Sequence, residues 1–421
     1  MNERIFQPQL TFRPRYNILR WVMVRKIFDD LNWYCTWRDD PRYSIMLHLI
    51  TEDPAITEME YKKEGDSSWE TISQEKCLEF LRTNKHIKWF ELTNLDPGTR
   101  YETRVKDQDR LVKTFKTMPE ELTGEIRLLL TSDVTHGNYV RTRDNLGAGG
   151  LRNYSPNVAI FAGDIVHDDG FRVVRWVNFW RAWFDRAYTI DGDMIPIVAQ
   201  LGNHEGGIDS NSYGLWTPCG RMEIIQYFYR FFPHPLVGDN QTYDVIDVGD
   251  YLTILSLDSN HVHVAANQVN FIETVLAERE NDINRTILPC FHVSPYPTMY
   301  GWDSARAPSL REHWTHLFSA SSRVKIAHTG HNHTVGVSPK VTGDSLDDNG
   351  VVYTGQGASF GTSTRPVNND TDNWWVDLAL GTNKEPEDHR GFCGLTLTPD
   401  KLKLERIAVS GKVLHTVEMD R

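Results

Sequence analysis

The chain has 421 residues, room for two or three domains and an ample core. A formal net charge of −12 at pH 7 argues against general nucleic-acid binding, which needs a basic footprint, though a local basic pocket stays compatible with it. With 40% hydrophobic and 24% charged residues the composition is that of a globular protein.

The five cysteines (Cys35, Cys77, Cys219, Cys290, Cys393) are scattered and lack paired metal spacing, so mostly buried, reduced thiols are expected. Met1-Asn2-Glu3-Arg4 opens no signal-peptide pattern, and no apolar stretch approaches a membrane span. The expected location is cytoplasmic, or within a larger particle.

Residues 1–40 form a basic, aromatic lead-in with Arg13, Arg15, Arg20, Trp21, Arg25 and Lys26, read as packed on the body with solvated charges. From Tyr43 the pattern is all-β, with strands expected at 44–50, 56–61, 87–92 and 101–105. The turn Leu95-Asp96-Pro97-Gly98-Thr99-Arg100-Tyr101 leads into a strand that begins with tyrosine. It resembles the tyrosine corner of a fibronectin type III-like sandwich. The lead-in and such a sandwich are together expected over residues 1–118, with Pro119-Glu120-Glu121 as linker.

Beyond it, strands and helices alternate. Residues 125–132 run into Asp133, with His136 three positions on. The apolar run Val158-Ala159-Ile160-Phe161-Ala162 reads as a buried strand ending on Gly163-Asp164, with His167 following. Residues 195–201 run into Gly202-Asn203-His204-Glu205, residues 286–291 into His292, and residues 324–329 into Gly330-His331-Asn332-His333. A single histidine or aspartate at a strand end is usually structural. Five such ends in series are not explained that way, and oxygen with imidazole donors suits first-row transition metals.

Between these ends, residues 171–188 have helical periodicity with an aromatic face (Trp176, Phe179, Trp180, Trp183, Phe184), read as core. Further helices are expected at 268–280 and 310–319. A hairpin is expected around Gly249-Asp250, and three short strands close the chain over 392–418. Residues 365–389 are polar and read as a surface loop despite Trp374-Trp375. Gly355-Gln356-Gly357 reads as a turn near the site, and neither a phosphate-binding loop with its lysine nor a nucleophile elbow is present. The fold class is α/β: two sheets inside, helices outside, an all-β sandwich in front.

In this order, Asp133, Gly163-Asp164, Gly202-Asn203-His204-Glu205, His292 and Gly330-His331-Asn332-His333 resemble the calcineurin-like metallophosphoesterases. Among them the chain is most similar to purple acid phosphatases, which also carry a fibronectin-like domain before the catalytic one. The resemblance spans roughly residues 43–360 and implies two metal ions, iron, manganese or zinc. It implies that Asp164 bridges them, that Asp133, His167 and His333 complete one site, and that Asn203, His292 and His331 complete the other. By the same resemblance His204 is an outer residue that contacts phosphate and protonates the leaving oxygen. His136 is a phosphate contact or a residue behind the ligands.

Two departures stand out. His167 replaces the tyrosine of purple acid phosphatases, and Thr334-Val335-Gly336-Val337 stands where tyrosine and arginine often follow, so no phosphate-binding arginine carries over. Further pocket candidates are His261, His263, Tyr296, Tyr300 and Arg306, each read as structural. The expected enzyme, with its catalytic domain over 119–421, is a metal-dependent phosphoric ester hydrolase acting on monoesters. The alternatives are a phosphodiesterase or nuclease, or a structural component of a larger assembly. Expected partners are the phosphate-ester substrate and, beyond it, further copies of the chain or other parts of such an assembly.

Overall fold

Short runs rich in β-branched and aromatic residues, broken by Pro, Gly and Asp turns, make the N-terminal region all-β. In the computed structural model, residues 31–80, 83–135, 139–167, 172–205, 228–233, 242–259, 261–298, 306–357, 359–361, 364–367, 374–382 and 390–421 are described. The N-terminal strands are β1 (Leu31–Thr36), β2 (Ile45–Thr51), β3 (Glu58–Lys63), β4 (Glu70–Ser73), β5 (Lys76–Phe80), β6 (Lys85–Leu92), β7 (Arg100–Val105) and β8 (Lys113–Lys116). Strands β4-β3-β7-β8 form a four-stranded sheet that shares a core with β1, β2 and β6, through Trp33, Leu47, Phe90, Met59, Tyr101 and Phe115. The Tyr101 hydroxyl accepts the Asp96 N–H at 2.8 Å, the geometry of a tyrosine corner. Most of the expected lead-in lies outside the described residues. Its end, residues 31–36, is a strand with Trp33 fully buried.

Further along run β9 (Ile126–Thr131), β10 (Val158–Ala162), β11 (Ile197–Gln200), β12 (Asp244–Val248), β13 (Leu252–Ser256), β14 (Thr286–Val293) and β15 (Ile326–Thr342). They are followed by β16 (Ser345–Leu346), β17 (Val351–Gly357), β18 (Leu378–Leu380), β19 (Gly391–Leu397), β20 (Lys401–Ala408) and β21 (Val413–Asp420). One sheet has the order β21-β20-β19-β9-β10-β11-β1-β2-β6-β5. A second contains β12-β13-β14-β15-β16, with β17 and β18 paired to β15. The N-terminal strands thus continue the first sheet, joined through Thr36 and Ile197.

Side chains alternate faces along a strand, and these sequences use both faces. Leu128, Leu130, Val158 and Ile160 point into the core between the sheets, where Leu288, Cys290 and Ile326 meet them. Leu129, Ala159 and Phe161 point the other way, onto the aromatic stripe of the helix Val173–Arg186. Ile287, Phe291 and Ala327 of the second sheet likewise cover their outer face with Ile272, Trp314 and Phe318 from the helices at 269–279 and 306–320. Two sheets lie inside and helices outside. Within the segment expected as a surface loop, the described residues 374–382 depart from it: β18 pairs with β15, and Trp374 packs on Tyr296.

Candidate metal centre

Strands β9, β10 and β11 are parallel neighbours, as are β13, β14 and β15. A parallel sheet leaves its carboxyl ends at one rim, where loops are free to carry chemistry. Past β9 and β10 the ladder continues, with N–H groups of Asp133, Val134 and Thr135 donating to the carbonyls of Gly163, Asp164 and Ile165 at 3.0–3.1 Å. That pairing sets Asp133 beside Asp164.

Asp133, His167 and His333 converge, as do Asp164, His292 and His331; Asp164 also groups with His167 and His204. His333 Nε2 lies 3.1 Å from Asp133 Oδ1 and 3.1 Å from His167 Nε2. On the other side His292 Nε2 lies 3.1 Å from Asp164 Oδ2 and 3.0 Å from Asn203 Oδ1. Asn203 Oδ1 is also 2.9 Å from His331 Nδ1. Asp164 is the residue shared between the two sides.

The donor set fits cations. Metal–imidazole bonds of ~2.0–2.1 Å put adjacent donors ~3.0–3.4 Å apart, the spacing seen here. His292 donates Nδ1–H to the Ala162 carbonyl at 2.8 Å, so the lone pair of Nε2 faces the oxygens of Asp164 and Asn203. Asp133 Oδ1 is buried without a hydrogen-bond partner. Converging lone pairs in a dry site call for a positive charge between them. Burial by itself would raise the Asp164 carboxyl, but His292, with His204 and His167, overrides it and holds the group well below the usual carboxylate range.

Backbone strain concentrates at the same place. Among the described residues, positive φ outside glycine occurs at seven positions, and Asp133 (51°), Asp164 (50°), His331 (77°) and His333 (57°) are four of them. His331 and His333 stand where β15 leaves register with both β14 and β17, rather than on a separate loop. The glycines leave space for the carboxylates. A Cβ at Gly202 would collide with Asp164, and one at Gly357 (φ 93°) with Asp133. Gly355-Gln356-Gly357 therefore lies on β17, not in a turn.

Two features of the site carried no functional role in the sequence reading. Glu205 closes the quoted motif but was given no role. Its buried carboxylate accepts the N–H groups of Asp164 (2.7 Å), Gly202 (3.0 Å) and Val166 (3.2 Å), tying the loops after β10 and β11 together. Burial, then Asp164, pushes this carboxyl up to about 7. The second is His261, whose ring lies 5.5 Å from that of His292. The charge of Arg306 also reaches His261 and His331. The signal for His261 was there: an apolar strand ending in Asp258-Ser259, as the other ligand strands end.

The remaining expectations are placed as follows. His204 sits at the edge of the cluster, its ring 4.5 Å from His167 and its Nε2 3.8 Å from Asp164 Oδ2. Tyr296 is buried and donates to the Gly343 carbonyl, and His263 packs on Tyr243; neither meets the cluster. His136 and Tyr300 lie outside the described residues.

Residues 126–335 match the model of the calcineurin-like phosphoesterase family. The solved structure of PhoD is similar in fold, with a TM-score of 0.60 at 13% identity, over 92% of this chain and 88% of that one. No curated protein matches the sequence significantly. The span of the family match holds every residue of the cluster, and the chain thus carries, over residues 126–335, the domain of a calcineurin-like phosphoesterase, a metal-dependent phosphoric ester hydrolase.

Proposed function

We propose that the chain hydrolyses phosphate monoesters at a centre of two cations, of iron, manganese or zinc, shared through Asp164. The observation that carries this is the pair of donor groups, Asp133/His167/His333 and Asp164/His292/His331 with Asn203, meeting at one carboxylate. Bound there, the cations supply Lewis-acid charge stabilisation and a water-derived nucleophile at neutral pH. Asn203 contributes a neutral oxygen, which limits the negative charge that an incoming phosphate meets. His204 Nε2, at the mouth beside Asp164, gives its proton to the leaving oxygen. His136 assists at the phosphate. Residues 119–421 form the catalytic domain; within residues 1–118, behind the lead-in, the described strands form the fibronectin III-like sandwich, which continues its sheet.

The test is elemental analysis of the purified protein together with a panel of mono- and diesters. Two equivalents of metal and faster turnover of monoesters are expected. Diester preference would move the assignment to a phosphodiesterase, and a single retained metal would remove the shared centre.

A further inference from the structure

At the end of the two sheets away from the metal rim lies a cleft of about 500 Å³, lined from both of them. One wall is the second sheet. Strand β17 runs between two arms of β15, so Val352 is flanked by two lysines: its N–H donates to the Lys325 carbonyl at 3.0 Å, and Lys340 stands opposite it on the other side. Both lysines line the cleft. The metal-side residue His331 lies six positions beyond Lys325, about 20 Å along a strand. The other wall is β20 and β21 of the first sheet, with Lys401, Val417 and Met419.

The floor is apolar: Val352 is nearly buried, and Val417 and Met419 are half-buried against the core between the sheets. Three carboxylates share the lining. Asp420 is paired with Lys401 and Asp377 with His415, at 3.3 Å, while Glu418 is exposed. The two lysines on the facing wall are not neutralised in this way. Lys340 Nζ donates to the Asp348 carbonyl at 3.1 Å, and among the described residues neither lysine has a carboxylate within ion-pair distance. Lys325 is half-buried, and its ammonium meets no acceptor among them. Burial, then the like charges of Lys340 and Arg323, push its amine down. The field of the pair crosses the cleft: hydrogen bonding to Lys401 lowers the Asp420 carboxyl, and Lys325 and Lys340 lower it further. Like charges held together and partly out of water are costly, and an anion between them removes that cost.

We propose that this cleft binds an amphiphilic organic anion, its oxyanion head between Lys325 and Lys340 and its apolar body along Val352, Val417 and Met419. The volume is that of a small-molecule pocket, and two convergent charges beside an apolar floor fix both ends of such a ligand. The site is separate from the metal centre and does not depend on the hydrolysis proposed there.

The experiment is titration calorimetry of the full chain with octanoate and with octanesulfonate, two oxyanion heads on one body, neither of them a phosphoryl compound that the metal centre would take as substrate. Octanol is the neutral control and should bind far more weakly than either anion. Lys325→Met keeps the length of the side chain and removes the charge. Affinity for the anions should fall roughly 10–100-fold, the usual worth of a hydrogen bond to a charged group. Lys325→Arg should keep most of it, a rescue that a purely structural role for the side chain would not produce. The ligand-free melting temperature of Lys325→Met should be level with wild type or higher, because the charge it loses has no partner to lose. If that variant does not fold, Lys340→Met makes the same test. Metal content should be the same in all of these chains. Binding of one anion only, weakened in Lys325→Met, supports the site and assigns its head as carboxylate or as sulfonate-like. Equal affinity in wild type and Lys325→Met, octanol binding as tightly as the anions, or no binding of either anion overturns the proposal.

Discussion

His204 is where structure and chemistry separate most clearly. Its backbone N–H donates to Asp164 Oδ1 at 2.9 Å, which fixes the loop, while its ring stands at the mouth of the cluster. Replacing the ring leaves that backbone bond intact. His204→Ala should therefore lower turnover by ~10²–10⁴, the usual range for general acid catalysis, with metal content and melting temperature nearly unchanged. The loss should be largest for esters with basic leaving groups; equal losses across leaving groups would reject the acid role. Asp164→Asn should release both metals together, because it weakens the one carboxylate that both donor groups share. Elemental analysis showing full retention would misplace the bridge. His167 offers nitrogen where a tyrosinate would give colour, so iron-loaded protein should lack an intense violet band; a visible spectrum with one would point to a tyrosinate ligand elsewhere.

At the scale of elements, the centre depends on strands that break their own rules. Strand β17 passes so close to Asp133 that Gly357, at φ 93°, has no room for a side chain. Gly357→Ala should lower the melting temperature and reduce metal occupancy together, because the new methyl meets both a strained backbone and the carboxylate. Gly343→Ala supplies the control: φ there is 54° but nothing lies within 4 Å of an added Cβ. It should cost only the strain, ~1 kcal/mol, and leave metal content alone. Equal metal loss in both variants would show that strain, not displacement of Asp133, is responsible.

For the molecule as a whole, the N-terminal β region is joined to the catalytic region by contacts of Lys113 with aromatic rings as well as by the sheet. Lys113 of β8 donates to the Trp33 carbonyl at 2.8 Å and to Asn32, and lies over the rings of Trp33, Phe184 and Tyr188. Burial pushes its amine down to about 7. An unfolded lysine keeps its proton to pH ~10.4, so between those values the unfolded chain binds more protons than the folded one. Stability should accordingly rise as pH climbs from 7 to ~10, by this group's contribution. Thermal melts of wild type and Lys113→Met across that range check it: the variant should show the smaller rise, and parallel curves would place the charge elsewhere.

Much of this architecture was legible in the chain because its rules are local. Apolar runs of five or six residues, ending in Gly-Asp, Gly-Asn-His or Gly-His-Asn-His, announce strands and the rim at which they stop. The stripe of Trp176, Phe179, Trp180 and Trp183 announces a helix packed on a sheet. Registers and distances between strands are not local, and only the tertiary structure decided them. It put β1 into the catalytic sheet through one pair of residues, paired β18 with β15, and set Gly357 against Asp133 across more than 200 positions of sequence. It also brought His261 to His292. In sequence that histidine follows an apolar strand ending in Asp258-Ser259; a parallel pairing of β13 with β14 carries it to the rim, because parallel strands end together.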